Sequence, residues 1–437
     1  MLSHWIKQGV QAGKRGDYGL AIGAFEKALE EPSLTVPQYA TLQQYLCVVH
    51  KLQQNYSQAL VHATRAVEAE PQNFRHRGNL ANIQRDLRDF ESAAHHYGSA
   101  MELCAAVSGG KAEIHRAQLR FNRALMELIQ GDYARGTRGF LAKALGGKER
   151  TLPSLLHTLP RWQGEALKGR RVLVHAIEGF GDCLQWLRFL PLLKTKTGAK
   201  AVGFCPHPEL SSLLLPKGVA QMQHNDFTLY KNVKVATSGA AFDIWLPLYA
   251  LLFLCEARPE CLPPPWQHLY PASTVGPEEL QHRSFKVALV WQVNPDAPTA
   301  RRRNVPLENF APLIENFSQG SGRAHFFSLQ YAAPEVSLSE ALITDLSPYM
   351  TTFAHTAALL KQMDLLLSVD TVSAHLGAAL GVPTRVLLPY ICDWRWGLKG
   401  QTSFWYPQNF RLLRQPAPGN WGPVMKQLWS ELSAWKV

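Results

Sequence analysis

Met363-Asp-Leu-Leu-Leu-Ser-Val-Asp-Thr-Val-Ser-Ala-His-Leu-Gly-Ala-Ala-Leu-Gly-Val-Pro-Thr-Arg-Val-Leu-Leu-Pro389 reads as strand, tight turn, short helix, glycine stop and next strand. Leu365 to Val369 are apolar almost without alternation, the pattern of a parallel strand covered on both faces. Asp370 stands where a helix N-cap belongs, able to accept from the first free N–H groups. The helix expected over Val372–Leu380 is small and apolar and can pack closely on a sheet, until Gly381 and Pro383 end it. A helix start just past a strand presents free donors and the positive end of a dipole, which suits a phosphate. Thr371 and Ser373 add hydroxyls there, and His375 lies one turn in.

Working outward, the same grammar recurs upstream. Arg171-Val-Leu-Val-His-Ala176 reads as a strand, Glu178-Gly-Phe-Gly-Asp182 as a glycine turn, and Cys183–Lys194 as a helix with Leu184, Trp186, Leu187, Leu190 and Leu193 on its apolar side. Ala199–Cys205 is the next strand, completing a βαβ unit with parallel pairing. A proline-rich break follows around 258–283, with Pro263-Pro-Pro265. A second set then begins with the strand Lys286–Gln292, a helix around Leu307–Phe317, the strand His325–Gln330 and a helix near Thr356–Gln362. Two such halves predict two doubly wound domains facing across a cleft.

The first third follows another rule. Gly16-Asp-Tyr-Gly-Leu-Ala-Ile-Gly-Ala-Phe-Glu-Lys-Ala28, Asn55-Tyr-Ser-Gln-Ala-Leu-Val-His-Ala-Thr-Arg-Ala66 and Arg88-Asp-Phe-Glu-Ser-Ala-Ala-His-His-Tyr-Gly-Ser-Ala100 share one template. Their aligned alanines, Ala21, Ala59 and Ala93, are about 34 residues apart or slightly more, the tetratricopeptide period. Gly131-Asp-Tyr-Ala-Arg-Gly-Thr-Arg-Gly-Phe140 is a fourth copy with Gly136 at the alanine position. Small residues let paired helices approach, while Tyr18, Tyr56, Phe90 or Tyr133 fills the bend. Such an array either supports the rest of the chain or offers a concave groove to a peptide or protein. The expected division is a repeat domain over 1–145, a linker over 146–168, a first Rossmann-like half over 169–265 and a second over 284–437.

Composition narrows the function. A chain of 437 residues with 46% hydrophobic content builds more than one core. A formal net charge of +11 favours acidic ligands such as nucleotides. No block of like charge or basic arm is present, which argues against a dedicated nucleic-acid role. Cys47, Cys104, Cys183, Cys205, Cys255, Cys261 and Cys392 are scattered, with no C-x-x-C pair, so a reducing compartment fits. The apolar stretch Phe242–Cys255 is too short, and interrupted by Asp243 and Pro247, to span a bilayer. Met1-Leu-Ser-His-Trp lacks signal-peptide anatomy, and the cytoplasm is the expected location.

Glu178 to Leu193 resembles the first glycine turn and helix of glycosyltransferase family 9, the heptosyltransferase-like enzymes, and Ser368 to Pro383 resembles their donor-phosphate motif. Val287–Pro295, Arg301–Leu307, Phe327–Gln330 and Asp393-Trp-Arg-Trp396 match further landmarks in the same order, so the likeness runs from about Leu159 to Gln415. The whole order is similar to bacterial proteins that place tetratricopeptide repeats before such a domain. The resemblance implies an α plus α/β chain: a tetratricopeptide helical solenoid, then a GT-B fold of two Rossmann-like domains. It also implies a nucleotide-sugar donor in the C-terminal half, and inversion at the sugar with neither metal nor other cofactor.

The residues bear on that chemistry one by one. Asp182 follows Gly179 and Gly181 at a strand's C-terminal end, where open α/β sheets place ligands; it reads as the base that takes the acceptor hydroxyl proton, or as the N-cap of Cys183–Lys194. Thr371, Val372, Ser373 and His375 match the donor-phosphate turn, with His375 a phosphate contact or an imidazole bonded inside the fold. Asp370, an anion itself, caps the turn or meets a ribose hydroxyl. Arg303 matches the family arginine and pairs with diphosphate, while Arg301 and Arg302 read as solvated. Gln292 and Asn294 reach toward donor or acceptor hydroxyls, and Gln330 toward base or ribose. Gly181, Trp394 and Arg395 are the acceptor or sugar contacts, and Trp394, Trp396, Trp405 and Tyr406 stack on a ligand or close a core. Cys183 reads as a buried bystander rather than an activated thiol.

Two functions from different classes follow. One is a glycosyltransferase whose repeats recruit a protein acceptor; the other is a non-catalytic tetratricopeptide adaptor with a degenerate transferase-like half. Retention of both Asp182 and the His375 motif favours the enzyme. An epimerase on the same two domains fits the repeats poorly.

Overall fold

The computed structural model describes residues 1–146, 152–239, 241–273, 276–281, 284–297, 299–320, 324–331 and 342–434. They form two compact units, Met1–Leu128 with Arg138–Gly147, and Ile129–Thr137 with Lys148–Val437. Among the described residues no helix is long and apolar enough to cross a membrane.

The helical region runs as antiparallel pairs: α1 (Leu2–Arg15) with α2 (Tyr18–Leu29), α3 (Val36–Leu52) with α4 (Tyr56–Ala69), α5 (Phe74–Asp86) with α6 (Phe90–Ala105), then α7 (Gly110–Ile129) and α8 (Tyr133–Gly146). Each bend repeats one device. Gly16, Gln54, Arg88 and Gly131 adopt positive φ, and the next residue caps the second helix. Asp17, Asn55, Asp89 and Asp132 accept from the backbone N–H three residues on. The period seen in the sequence is therefore also a period of backbone geometry. Ala21, Ala59 and Ala93 are fully buried, as close helix packing requires. Helix α2 stacks on α3 and α4 on α5, so successive hairpins share one core as a tetratricopeptide solenoid.

The second unit holds two sheets. The first contains β1 (Arg171–His175), β2 (Ala201–Cys205), β3 (Gln221–Gln223), β4 (Thr228–Tyr230) and β5 (Ile244–Pro247) in the order β3-β4-β2-β1-β5. All its pairings are parallel except β3 with β4. The second contains β6 (Phe285–Val290), β7 (Ala324–Ser328), β8 (Ile343–Asp345), β9 (Leu365–Val369), β10 (Thr384–Leu388) and β11 (Phe410–Arg414) in the order β11-β10-β9-β6-β7-β8. Every pairing there is parallel. Counted from its own first strand, that order is the 3-2-1-4-5-6 of a dinucleotide-binding fold. The order reverses between β6 and β9, and in the first sheet between β1 and β5. Ligand crevices belong at those two points. The unit is thus a pair of Rossmann-like halves, the GT-B arrangement. Strand β9 is buried at all five residues, as its unbroken apolar run demands.

Several expectations need correction. The stretch 146–168 was expected as a linker; its described residues pack on the first sheet instead. Leu156 is buried against Tyr230 and Trp245, and the Trp162 N–H donates to the Trp245 carbonyl at 2.9 Å while the Trp245 N–H donates to Pro160 at 2.9 Å. Prolines in this segment mark an edge, not a free chain. The helix expected over Cys183–Lys194 is broken. It begins earlier, at Phe180–Trp186, passes through a 3-10 turn at Leu187–Phe189 and resumes at Leu190–Thr197. Pro191 lacks the N–H that would bond back to the Leu187 carbonyl, which accounts for the break. The apolar stretch Phe242–Cys255 is β5 followed by the helix Ala250–Leu254.

One glycine tests how tightly the first hairpin is built. A Cβ on Gly9 would lie 2.5 Å from the ring of Phe25, which is 2% exposed and has nowhere to go. Alanine in place of glycine gains about 1 kcal/mol of helix propensity. Overpacking costs about 1–3 kcal/mol. Gly9→Ala is therefore expected to lower the stability of the helical unit, measured as a reduced thermal or urea midpoint. An unchanged or raised midpoint would show that Phe25 can yield.

Candidate functional site

The candidate site is built where the two switch points meet. After β1 the chain turns through Glu178-Gly-Phe-Gly and enters the helix Phe180–Trp186, with Gly179 in the cap position. Asp182 is therefore not the N-cap expected as its alternative role; it lies in the first helical turn. Glu178 anchors the turn. Its carboxylate accepts from the N–H of Ile177 at 2.9 Å and of Tyr249 at 2.8 Å, and its carbonyl accepts from His207 Nε2. These partners stand at the ends of β1, β5 and β2, so one residue ties three strand ends together. Burial pushes the Glu178 carboxyl up to about 8, against the pull of its two backbone donors.

From the other half, β9 delivers Asp370 and the helix Val372–Ala379. Thr371, not Asp370, occupies the cap position, and its side chain makes no capping bond. Asp370 is instead buried, with an oxygen 3.7 Å from Arg303 Nε. Burial alone would raise its carboxyl, but Arg303 and Arg395 outweigh that and hold it below the usual carboxylate range. This corrects the expectation of a capping Asp370. Arg303 also donates to Thr299 Oγ1 at 3.2 Å, and Arg301 is exposed while Arg302, expected to be equally solvated, is half-buried. Thr371 and Val372 are half-buried, and Ser373 is buried.

The two elements touch. The helix Phe180–Trp186 packs on Val372–Ala379. A Cβ on Gly181 would stand 2.6 Å from His375 Cδ2 and 3.5 Å from Val372 Cα. Only glycine permits that approach. His375 is enclosed: its Nδ1 is 2.9 Å from Tyr406 Oη and its ring stacks on Trp396 at 5.4 Å. Burial, then the charge of Arg395, push the imidazole down to about 3, so it is neutral at physiological pH. In the tautomer where Tyr406 donates to Nδ1, Nε2 carries the ring proton and lies 3.3 Å from the Cβ position of Gly181. Any contact with an anion would be a neutral N–H bond, not a cationic pair.

Arg395 links the halves. Its Nε donates to Gln185 Oε1 at 3.0 Å, Nη2 donates to Asp182 Oδ1, and Nη1 lies 3.0 Å from Asp393 Oδ1. Burial opposes its charge, but Asp393, Asp182 and Asp370 more than offset this and raise its pKa. Arg395 is expected as an acceptor or sugar contact; in the structure its guanidinium is committed to Asp182, Asp393 and Gln185 of the protein itself. Trp394, expected beside it, is also buried, as are Trp396, Trp405 and Tyr406. The aromatic patch closes a core.

The remaining candidates divide. Gln330 is buried and bonded inward, its Oε1 accepting from the N–H of Trp291 at 3.2 Å and of Gln292 at 2.9 Å. It shapes the end of β6 rather than facing a ribose. Gln292 is half-buried, while Asn294 is exposed and accepts from the Asp296 N–H at 3.0 Å. Burial raises the Cys183 thiol well above its ordinary value, as expected of a bystander. Residues the sequence did not single out carry much of the geometry. Glu178 is one; Gln185 and Arg188 are others, at i+4 and i+7 from Gly181, a spacing that marks one helix face. Arg188 is 2% exposed and donates to the carbonyl of Trp405 at 2.9 Å and of Pro263 at 3.3 Å. Asn304 accepts from the Val293 N–H at 2.9 Å, fixing the arginine turn to the end of β6.

No family model and no curated protein matches the chain. Among solved structures it is similar to a glycosyl transferase family 9 protein from Veillonella parvula, at 12% identity and TM-score 0.38, over 62% of this chain and 91% of that one. It is similar to the E. coli heptosyltransferase WaaC at 14% identity and TM-score 0.39, over 60% and 100%. A mutant O-GlcNAc transferase from Thermobaculum terrenum matches at 13% identity and TM-score 0.27, over 88% and 82%. Superpositions this loose decide neither fold nor activity; the fold rests on strand order and pairing.

Glu178 gives a pH signature with a definite sign. Its folded pKa, about 8, lies above its value in the unfolded chain. The favourable contribution is complete below the unfolded value and is lost as pH rises through the folded one. Glu178→Gln, an isostere of the protonated acid, removes that titration. The wild-type unfolding midpoint should decline more steeply than the variant's between about pH 5 and pH 8. Parallel curves would show that Glu178 is ionised in the fold.

Proposed function

We propose that this chain is a glycosyltransferase that moves a sugar from a nucleotide-sugar donor to a hydroxyl acceptor, with inversion at the anomeric carbon. The observation that carries this reading is the direct contact of two elements, the glycine turn bearing Asp182 and the helix start Thr371–His375. In this reading a carboxylate and an anion-binding helix start, each at the switch point of its own half, serve one site.

The chemistry balances with those groups. The acceptor oxygen attacks the anomeric carbon as the bond from that carbon to the diphosphate breaks. The nucleoside diphosphate leaves with the electron pair, and Asp182 takes the hydroxyl proton. Negative charge grows on the diphosphate. The first N–H groups of Val372–Ala379, the hydroxyls of Thr371 and Ser373, and Arg303 meet it. In this reading no metal is required, because helix dipole and guanidinium supply the positive charge. The tetratricopeptide hairpins favour a protein or peptide acceptor, since stacked hairpins offer a groove that small acceptors do not need. The cytoplasm fits a soluble nucleotide-sugar donor.

Asp182→Asn tests the base. Donor binding should survive within a few fold, while turnover falls by about 10²–10⁴. Calorimetry with ADP-, GDP- and UDP-sugars, followed by single-turnover transfer assays, separates the two. Normal turnover in the variant would remove Asp182 from the mechanism. Failure of the intact protein to bind any nucleotide-sugar would favour the adaptor reading.

A further inference from the structure

Arg395 is set before it meets the other half. The Asp393 carboxylate accepts from the Arg395 backbone N–H at 3.1 Å and holds Nη1 at 3.0 Å, so one aspartate orients both the residue and its fork. On its own half the guanidinium lies over the Trp394 ring at 5.5 Å; across the seam it meets the Trp186 ring at 5.9 Å. The loop that carries it is braced by Arg414, which donates to the carbonyls of Gly397 at 3.0 Å and Gly400 at 2.9 Å, and to that of Trp396. What remains of the fork points at the first half, where Asp182 and Gln185 present their oxygens from successive turns of one helix. A planar fork serves two acceptors at fixed angles; a lysine could serve one.

We propose that Arg395 is a positioning residue that holds the Asp182 carboxylate in its working orientation, and does so only while the two halves are closed on each other. The idea rests on the glycosyl-transfer reading of Asp182. Closure then does two things at once. It brings the donor helix against Gly181, and it completes the base by docking Asp182 and Gln185 on a fork delivered from the donor half. A transferase with this linkage keeps its base unoriented while the cleft is open. Arg395 itself touches neither donor nor acceptor in this account; it acts through Asp182.

The experiment uses the full chain and two independent readouts. The first is amide exchange across residues 179–186 without ligand. The second compares affinity for ADP, GDP and UDP with the rate of sugar transfer. Arg395→Gln should speed exchange in that segment about tenfold or more while leaving helices α3 to α6 unchanged. Nucleoside diphosphate affinity should stay within about threefold while turnover falls about 100-fold, as misorientation of a catalytic group does. Arg395→Lys, which keeps charge but loses the fork, should fall between wild type and Arg395→Gln. Unchanged exchange would overturn the proposal, as would equal losses in affinity and turnover, which would make Arg395 a donor contact. A lysine variant equal to wild type would also overturn it. Should Arg395→Gln lose its cooperative thermal transition, Gln185→Leu removes only the Nε partner. Faster exchange there supports the linkage, and no change refutes it. If the intact protein handles no nucleotide-sugar, the functional reading fails, while the exchange arm still decides whether Arg395 orders the turn.

Discussion

The contact between the helix Phe180–Trp186 and the C-terminal half is the constraint on which the rest of the second unit depends. One face of that helix presents Gly181, Asp182, Gln185 and, beyond its end, Arg188. Each meets a residue from the other half: His375, Arg395, Arg395 again and Trp405. Phe180 adds an edge-to-face contact with Phe353 at 5.1 Å. The short helix thus makes hydrophobic, polar and ionic contacts with the C-terminal half. Its own length is too slight for autonomous stability, since isolated helices of a few turns are marginal in water. Packing from both sides keeps it formed.

The electrostatics of the seam explain why arginine recurs there. Asp182, Asp370 and Asp393 converge on Arg395, and Asp370 also faces Arg303. Three carboxylates near one another in a partly dry crevice would repel and protonate. Removing one arginine leaves buried charge uncompensated, which costs about 3–5 kcal/mol where the site is fully enclosed. Asp182 retains about a quarter of its side-chain exposure, so its share is smaller. Arg188 shows the opposite balance. Burial lowers its pKa, and its partners are carbonyls and aromatic faces, not carboxylates. It is a strut whose fork bonds Trp405 and Pro263, reaching both the C-terminal half and the proline-rich break.

Much of this was legible in the sequence because it is local. The run Leu365–Val369 had to be a covered strand, and the βαβ alternation had to give parallel sheets. Small residues and a bend aromatic recurring at about 34 residues had to give stacked helical hairpins. The misses share a different cause. Asp370 resembles a cap in sequence, yet its carboxylate is claimed by Arg303, 67 positions away by subtraction of the residue numbers. Asp182 resembles a cap until Gly179 is seen to begin the helix three residues sooner. Gln185 and Arg188 advertise one helix face by their spacing, but nothing local says that the face meets Arg395 and Trp405 more than 200 residues later. Trp394 and Trp405 are ambiguous between ligand platform and core, because indole suits both. Only burial separates the two.

The glycine turn is held from behind as well as in front. Glu178 fixes its near end to β1, β5 and β2, while Arg395 and His375 confine its far end. These restraints differ in kind. The Glu178 bonds lie wholly within the first half and persist whether or not the halves meet. The Arg395 and His375 contacts exist only across the seam. The rear restraint therefore sets where the turn sits, and the front restraint sets where the Asp182 oxygens point. A backbone anchored by three strand ends can tolerate loss of the front contact without unfolding, because stability there is local and graded. The side chain has no such reserve. Its orientation answers to the Arg395 guanidinium, so the side chain depends on the seam while the backbone of the turn does not.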